Sequence, residues 1–365
     1  PNIVYMARLS RNVEKGFQYV LGTGFQPVIS EWLAYYGNLY REQEEGRSQA
    51  QGRSILKRPK TGRVIHTPRL APDGERIAYA AHNMGIFKVF IQDLEKGKKK
   101  RVYRGGYRLA DRPDHSYPLI AWHPTGEVLA LIIERKGDVW LYLYDLAEKR
   151  FERQKLVNFQ KVLDISYSDD GTRLVMSAVQ KGQSDIFVYN IASGSHEQIT
   201  RDRYNDLNPR FISNSSGIVL ASNRVSDTLR FDEPVKVDCI RHNYDVLLYD
   251  YGRKKSVMQR LTDTPEADET EPMPYEGNYF CYLGDESGIV NRYLARYDST
   301  IAYIDTAAHY RYFTTSYPVT DYRRNILGQD VSARAGRIGE VVYSDRCYRL
   351  YVSDLVLPDQ GTKAA

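Results

Sequence analysis

Five segments of the chain repeat one pattern: a turn with a glycine, an apolar strand, and a second apolar strand that ends in Asp or Asn. The turn glycines are Gly74, Gly126, Gly171, Gly217 and Gly277, at intervals of 52, 45, 46 and 60 residues. The closing residues are Asp93, Asp145, Asn190, Asp250 and Asp298. In each of the first three units, 19 residues separate the glycine from its closing residue. A period of this length is typical of the four-stranded blades of a β-propeller.

The physical reason for such a repeat is that one small antiparallel sheet cannot bury both of its faces, so that sheets stack radially around an axis. We interpret the Asp-Gly and Ser-Gly pairs as hairpin turns between the first two strands of a blade, where glycine tolerates positive φ. The Asp or Asn after the second apolar strand can hydrogen-bond the backbone of its own turn. These glycines and closing residues are therefore predicted to be structural.

A sixth unit is predicted near the C-terminus. Residues 326–331 would supply its inner strand, and 341–343 and 348–354 resemble the paired strands of a blade. The expected fold is therefore all-β, a propeller of six blades with four antiparallel strands each. A seventh blade would require strands from outside this chain.

Composition supports a β-rich chain and argues against several other classes. The 30 tyrosines favour pleated, half-buried surfaces. The net charge of +5 is mild, and no basic stripe with interleaved aromatic residues predicts nucleic-acid binding. No run of 18 apolar residues predicts a membrane-spanning helix. The three cysteines lack zinc-finger spacing, and the one disulfide that the sequence leaves as an alternative joins Cys239 and Cys281.

One stretch carries a family resemblance. Asp206-Leu207-Asn208-Pro209-Arg210-Phe211, followed by Gly217 and by Ser222-Asn223-Arg224, resembles the repeat pattern of TolB-like (PD40) propellers. Glu197-Gln198-Ile199-Thr200 and Gln259-Arg260-Leu261-Thr262 resemble the blade-closing "x-x-L-T" of that family. The match covers about residues 64 to 357. The resemblance implies a protein of the bacterial envelope, periplasmic or associated with the outer membrane.

The remainder of the chain does not repeat. Residues 1–45 have helical periodicity over 28–40 and predict a further helix over 6–21 that ends at Gly22. They resemble the last helices of a peptidase MA-like (gluzincin) domain, but its His-Glu-x-x-His motif is absent. Residues 46–63 are interpreted as a linker, 64–357 as the propeller and 358–365 as a tail.

We find no motif that predicts catalysis, a cofactor or a metal. There is no Gly-x-Ser-x-Gly elbow and no phosphate-binding loop. His66 and His115 both fall near the start of a first strand, which admits an alternative: some related propellers are metal-dependent sugar lyases with histidines near the axis. Ordinary structural histidines are the preferred interpretation.

The fourth unit carries about 14 extra residues between its two apolar strands, within 225–242. A long charged loop on a rigid scaffold is a natural partner site. Arg230, Phe231, Asp232, Arg241 and His242 are the predicted binding residues, since aromatic and arginine side chains anchor interfaces. The expected function is non-enzymatic binding of envelope or secretion proteins. The alternatives are an accessory propeller of a metallopeptidase and a carbohydrate-binding or lyase propeller.

Overall fold

The computed structural model describes residues 2–108, 113–212, 214–229, 241–304 and 308–355. The chain divides into two units, Pro1–Ser48 and Gln49–Ala365. The first unit contains three helices, α1 (Asn2–Ser10), α2 (Val13–Leu21) and α3 (Phe25–Glu44). None of the helices in the described part of the chain is long and apolar enough to span a bilayer.

The helix expected over 6–21 is divided in two. The side-chain oxygen of Asn12 accepts a hydrogen bond from the Lys15 backbone N–H at 3.1 Å, which starts a new helix at Val13. This helix ends at Gly22, which adopts a left-handed φ of 74°. The region of helical periodicity at 28–40 lies inside α3.

The second unit is a six-bladed β-propeller in which every sheet has four antiparallel strands. Blades one to three are β2 (Val64–Leu70), β3 (Arg76–Asn83), β4 (Ile86–Asp93), β5 (Lys99–Gly106); β6 (Leu119–Trp122), β7 (Val128–Arg135), β8 (Asp138–Asp145), β9 (Phe151–Lys155); and β10 (Lys161–Tyr167), β11 (Arg173–Gln180), β12 (Gln183–Asn190), β13 (His196–Gln198). Blades four and five are β14 (Asp206–Ile212), β15 (Gly217–Ser222), β16 (Asp245–Asp250), β17 (Gln259–Arg260); and β18 (Glu269–Pro274), β19 (Tyr279–Gly284), β20 (Asn291–Ile304), β21 (Ala308–Pro318).

The sixth blade closes the ring with a strand from the other end of the sequence. Its first three strands are β22 (Ile326–Ser332), β23 (Arg337–Ser344) and β24 (Cys347–Asp354), and the fourth is β1 (Arg53–Ser54). Arg53 pairs with Val352, and the Ile55 backbone N–H donates to the Leu350 carbonyl at 2.8 Å. This closing strand lies within the stretch 46–63, which the sequence suggests to be a linker. Two residues are too few to show the alternation that predicts a strand.

The cores lie between blades, as radial stacking requires. Ile120 and Leu131 of blade two pack with Ala80 and Val89 of blade one, and an equivalent apolar cluster joins each other adjacent pair. The second strands are covered on both faces, so that Leu174 to Ala178 in β11 are all buried. Burying each Leu or Ile contributes about 1.5–3 kcal/mol. Cys281 is a buried free thiol in one of these clusters, and Cys239 lies outside the described residues.

Candidate functional site

The turns predicted from the repeat lie together on one face of the ring, which we call the turn face. Gly74, Gly126, Gly171 and Gly277 have φ between 60° and 74°. The fourth blade differs. There Asn214 and Ser215 take positive φ (56° and 62°), and Gly217 is the first residue of β15. A Cβ on Gly217 would lie 3.0 Å from Ile212, so close packing is what requires this glycine.

The closing residues of the second apolar strands cap the next turn. The fifth predicted closing residue, Asp298, lies inside β20 instead and accepts a hydrogen bond from the Ser299 backbone N–H at 2.8 Å. In the other four, a side-chain oxygen accepts a hydrogen bond from the backbone N–H three residues later, at 2.6–3.0 Å. These residues are Asp93, Asp145, Asn190 and Asp250. They satisfy donors that the tight turn leaves free.

The inner strands that line the axis are irregular at corresponding positions. Among the described residues, the inner strand shifts register against its neighbour in every blade except the second. Three shifts contain a non-glycine residue at positive φ directly before a proline: Thr67, Asn208 and Glu271, with φ of 51°, 50° and 47°. This conformation is uncommon for such residues and persists only when the surroundings impose it. The bulges at Thr67 and Asn208 precede the two axial arginines, Arg69 and Arg210.

A buried ion network crosses the axis from blade one to blade four. Asp164 receives hydrogen bonds from Arg69 at 3.2 Å and from Asn208 at 3.2 Å, and its other ion pair, with Arg210, is 2.8 Å long. The side chains of Asp164, Arg210 and Arg69 are only 7%, 6% and 12% exposed. Buried charges that are paired in this way hold one geometry, because breaking one pair leaves the partner unpaired.

The network continues through blades five and six. The Gln329 backbone N–H donates to Glu271 at 2.9 Å, and the Leu70 backbone N–H donates to Asp330 at 2.6 Å. Arg292 Nε donates to Gln329 Oε1 at 2.7 Å. Hydrogen bonds and ion pairs around the axis therefore involve side chains from five of the six blades.

Burial and neighbouring charges shift the pKa values of the axial carboxyl groups in different directions. Burial raises the pKa of Glu271 and of Asp330. For Asp164 burial acts in the same direction, but the guanidinium groups of Arg210 and Arg69 outweigh it and hold the pKa below its usual range. Asp164 is thus the ionised centre of the network, and its charge is used in contacts between blades.

The turn face opens into an axial funnel of about 420 Å³. Its lining combines Arg69, Arg210 and Arg334 with the indole of Trp122 and the carboxylate of Asp330. Trp122 is held by a hydrogen bond from its Nε1 to the Arg69 carbonyl at 2.9 Å. A concave site with a rigid aromatic residue and arginines is suited to a protruding segment of a partner.

The described ends of the fourth-blade insertion, 225–229 and 241–242, lie on the opposite face. Of its predicted binding residues, Arg230, Phe231 and Asp232 lie outside the described residues. Arg241 pairs with Asp245 at 2.7 Å and with Asp263 at 2.5 Å, and the hydrogen bond to Asp263 raises the pKa of Arg241. His242 is exposed.

Arg241 and His242 line a groove of about 630 Å³, which we call the fourth-blade groove. Its other lining residues are Asn243, Asp263, Pro265, Glu266 and Asp268. Three carboxylates against one guanidinium make the groove acidic. Such a surface attracts a partner segment with basic side chains.

Arg260, which sequence reasoning did not single out, holds the described start of the insertion. Its guanidinium pairs with Asp227 at 2.7 Å and also with Asp245, and it donates to the Arg224 carbonyl at 2.8 Å. Arg260 lies in the blade-closing "x-x-L-T" stretch, in its second variable position. The motif predicts the position of Arg260 in the blade but not the residues with which Arg260 pairs.

Three carboxylates near the start of β14, those of Asp185, Asp202 and Asp206, offer oxygens within 4.8 Å of one another. Arg224 already lies among them: its Nη2 donates to Asp206 at 2.8 and 3.0 Å and pairs with Asp202 at 3.4 Å. Burial, then the charges of Asp206 and Asp202, raise the pKa of Asp185 to about 7. Because arginine supplies the positive charge, we interpret this cluster as a structural ion pair.

Comparison with known proteins places these features in context. No family model matches the chain. It is 22% identical over 174 residues to the protein TolB homolog of Chlorobium luteolum, which covers 47% of this chain and 37% of the relative. It is 30% identical over 96 residues to the Tol-Pal system protein TolB of Ruthia magnifica, which covers 26% of this chain and 20% of the relative. The matches therefore span well under half the length of these relatives.

Solved structures agree on the fold. A protein assigned as TolB from Agrobacterium tumefaciens superposes with a TM-score of 0.51 at 14% identity, over 84% of this chain and 94% of that one. An oligogalacturonate lyase in complex with manganese has a TM-score of 0.50 at 11% identity, over 87% and 95%. At such low identity, these structures bear on the fold alone. The chain is therefore a six-bladed β-propeller similar to those of TolB proteins.

Proposed function

We propose that this chain is a non-catalytic propeller that binds other proteins of the bacterial cell envelope, in the periplasm or at the outer membrane. The observation that carries the proposal is the sequence similarity to TolB proteins, one of which is described as part of the Tol-Pal system. Similar scaffolds serve unrelated functions, so the binding surfaces of this chain must supply the remaining argument.

Two concave surfaces on opposite faces support a binding role. The axial funnel presents arginines around the buried Trp122, and the fourth-blade groove presents carboxylates. The acidic lining of the groove and the mixed aromatic and arginine lining of the funnel favour two different partner segments, because electrostatic complementarity guides encounter. We further propose that the chain works within a larger envelope or secretion assembly. The likeness of residues 1–45 to the end of a gluzincin-like domain remains a hypothesis.

Site-specific photo-crosslinking in the native bacterium tests the proposal. A photoreactive amino acid is placed at Arg334 in the funnel and at His242 in the groove, with exposed Lys149 on a turn of blade two as the matched control. We expect adducts with defined envelope proteins from the first two positions only. Charge reversal by Glu266→Lys should weaken the His242 adduct and leave the Arg334 adduct unchanged.

Other outcomes would contradict the proposal. Equal labelling from all three positions would show that contact is non-specific. Adducts with a peptidase would favour an accessory role in proteolysis. Release of unsaturated sugars from polyuronides by the purified chain would favour a lyase.

A further inference from the structure

Three of the seven histidines meet on the face opposite the turns. His66 lies in β2 and His82 in β3, and the strand register pairs Val64 with His82 and His66 with Ala80. His66 and His82 are therefore diagonal neighbours on one face of the sheet, within reach of each other. The segment that enters blade two adds His115. The ring centroids lie 4.7 Å apart for His66 and His82, and 4.8 Å apart for His82 and His115.

The ring nitrogens of this histidine cluster are largely without partners among the described residues. His66 Nδ1 is hydrogen-bonded to the Thr67 hydroxyl at 2.6 Å, which leaves a buried Nε2 without a partner. His115 Nδ1 is also buried and unpartnered. His82 is 2% exposed and makes no hydrogen bond of regular geometry, although the Tyr117 backbone lies close enough to affect its titration. Buried polar atoms are nearly always paired, so several unpaired nitrogens at one place require an explanation.

Burial disfavours the charged form of a histidine ring. Burial, then the neighbouring histidines, lower the pKa of His66 to about 3. Burial and His115 lower that of His82 to about 4, against the opposing effects of Tyr117 and Asp114. The Asp114 carboxylate is 62% exposed and already paired with Lys161 at 3.0 Å.

We propose that His66, His82 and His115 bind a divalent transition-metal ion, with Zn²⁺ as the best fit. Three imidazole ligands suit Zn²⁺ and its neighbours in the first transition row rather than Mg²⁺ or Ca²⁺. A fourth position would remain for water or an external ligand. The Thr67 hydroxyl at the second nitrogen of His66 is the kind of partner that orients a metal-bound imidazole.

Binding would require local adjustment of the rings. Zn–N bonds are about 2.0–2.1 Å long, so one nitrogen of each ring must turn towards a common point. The terminal torsion of histidine is broad, so each ring can turn about its own side-chain bond. A bound ion would then join blade one to the segment that leads into blade two.

Metal titration of the purified chain, carrying a tag without histidines and treated with a chelator, tests this inference. We expect one Co²⁺ per chain, with visible ligand-field absorption typical of nitrogen ligands, and displacement of Co²⁺ by Zn²⁺. Zn²⁺ should also raise the unfolding temperature, because an ion that binds only the folded state stabilises it. Mg²⁺ should neither displace Co²⁺ nor raise the unfolding temperature.

Variants separate this site from adventitious binding. His115→Ala changes a residue outside the regular strands, and His66→Gln keeps a polar side chain on β2. Each should lower Co²⁺ affinity at least tenfold while circular dichroism stays that of the wild type. His196→Ala removes a half-buried histidine of β13 in blade three and should leave affinity unchanged. Absence of stoichiometric Co²⁺ binding, or binding that survives both cluster variants, would overturn the inference.

Discussion

Replacement of Arg224 by methionine removes the most completely buried cation of the described propeller. The Arg224 side chain is 0% exposed, as is that of its partner Asp206. Its Nη2 makes two hydrogen bonds to the Asp206 carboxylate, its Nε donates to the Ser222 hydroxyl at 3.1 Å, and the guanidinium lies 5.3 Å from the Tyr204 ring centroid. Methionine fills similar space but leaves the Asp206 charge without its counterion.

The expected loss of stability follows from the unpaired charge of Asp206. Removing one partner of a buried ion pair costs about 3–5 kcal/mol. With an unfolding entropy of about 2.1 cal/mol/K per residue, a propeller of roughly 300 residues should lose about 5–8 °C in unfolding temperature. The double variant Arg224→Met with Asp206→Asn should regain part of this loss, because the unpaired charge is then gone.

Urea unfolding followed by tryptophan fluorescence, together with calorimetry, measures both quantities. Arg150→Met is the matched control, since Arg150 pairs with Glu148 but both side chains are more than half exposed. Such a surface pair contributes at most about 1 kcal/mol. If Arg224→Met is no more destabilising than the control, the argument that this ion pair holds blade four together is wrong.

Two further predictions concern pH dependence and ring closure. The pKa of Asp185 is raised to about 7 by burial and by Asp206 and Asp202, so the folded state holds a proton that the unfolded state loses near pH 4. This stabilisation is complete below pH 4 and is lost as the pH rises through 7. Asp185→Asn should therefore flatten the decline in urea midpoint between pH 5 and 8. An unchanged pH profile of the urea midpoint would contradict the assignment of this effect to Asp185. Ile55→Ala removes a buried contact with Leu350 at the closing strand and should lower the free energy of unfolding by about 2–5 kcal/mol. The control Leu327→Ala, at a side chain that is 46% exposed, should have little effect. Equal losses of stability in chemical denaturation would argue against closure by β1.

Much of the propeller was predictable because its local chemistry repeats. The turn glycines and capping residues such as Asp93 and Asp145 act on their own turns, at short sequence separation. The apolar strands are covered by neighbouring blades and therefore read as continuous apolar runs. Each of these signals is local, and it appears wherever the blade recurs.

The candidate site was less predictable because its contacts are distant in sequence. Arg69 and Asp164 are 95 residues apart, and Leu70 meets Asp330 across 260 residues. No periodicity links such positions. The pairing of Arg260 with Asp227 across the insertion was likewise not visible in the sequence.

The histidine cluster shows the same limit on a smaller scale. The sequence places His66 and His115 near the starts of their strands, but nothing in it indicates that His82 lies between them. That arrangement depends on the β2–β3 register and on the path of the chain between blades one and two.

By itself, the sequence determined the repeat and the antiparallel blades and led to an expected number of six, because each blade encodes its own turns and its own apolar strands. Only the tertiary structure decided which residues meet at the axis, how β1 completes the sixth blade, and where the histidines converge. The physical reason is that these contacts arise when the ring closes. Closure brings together groups from opposite ends of the chain, whose proximity no local pattern specifies.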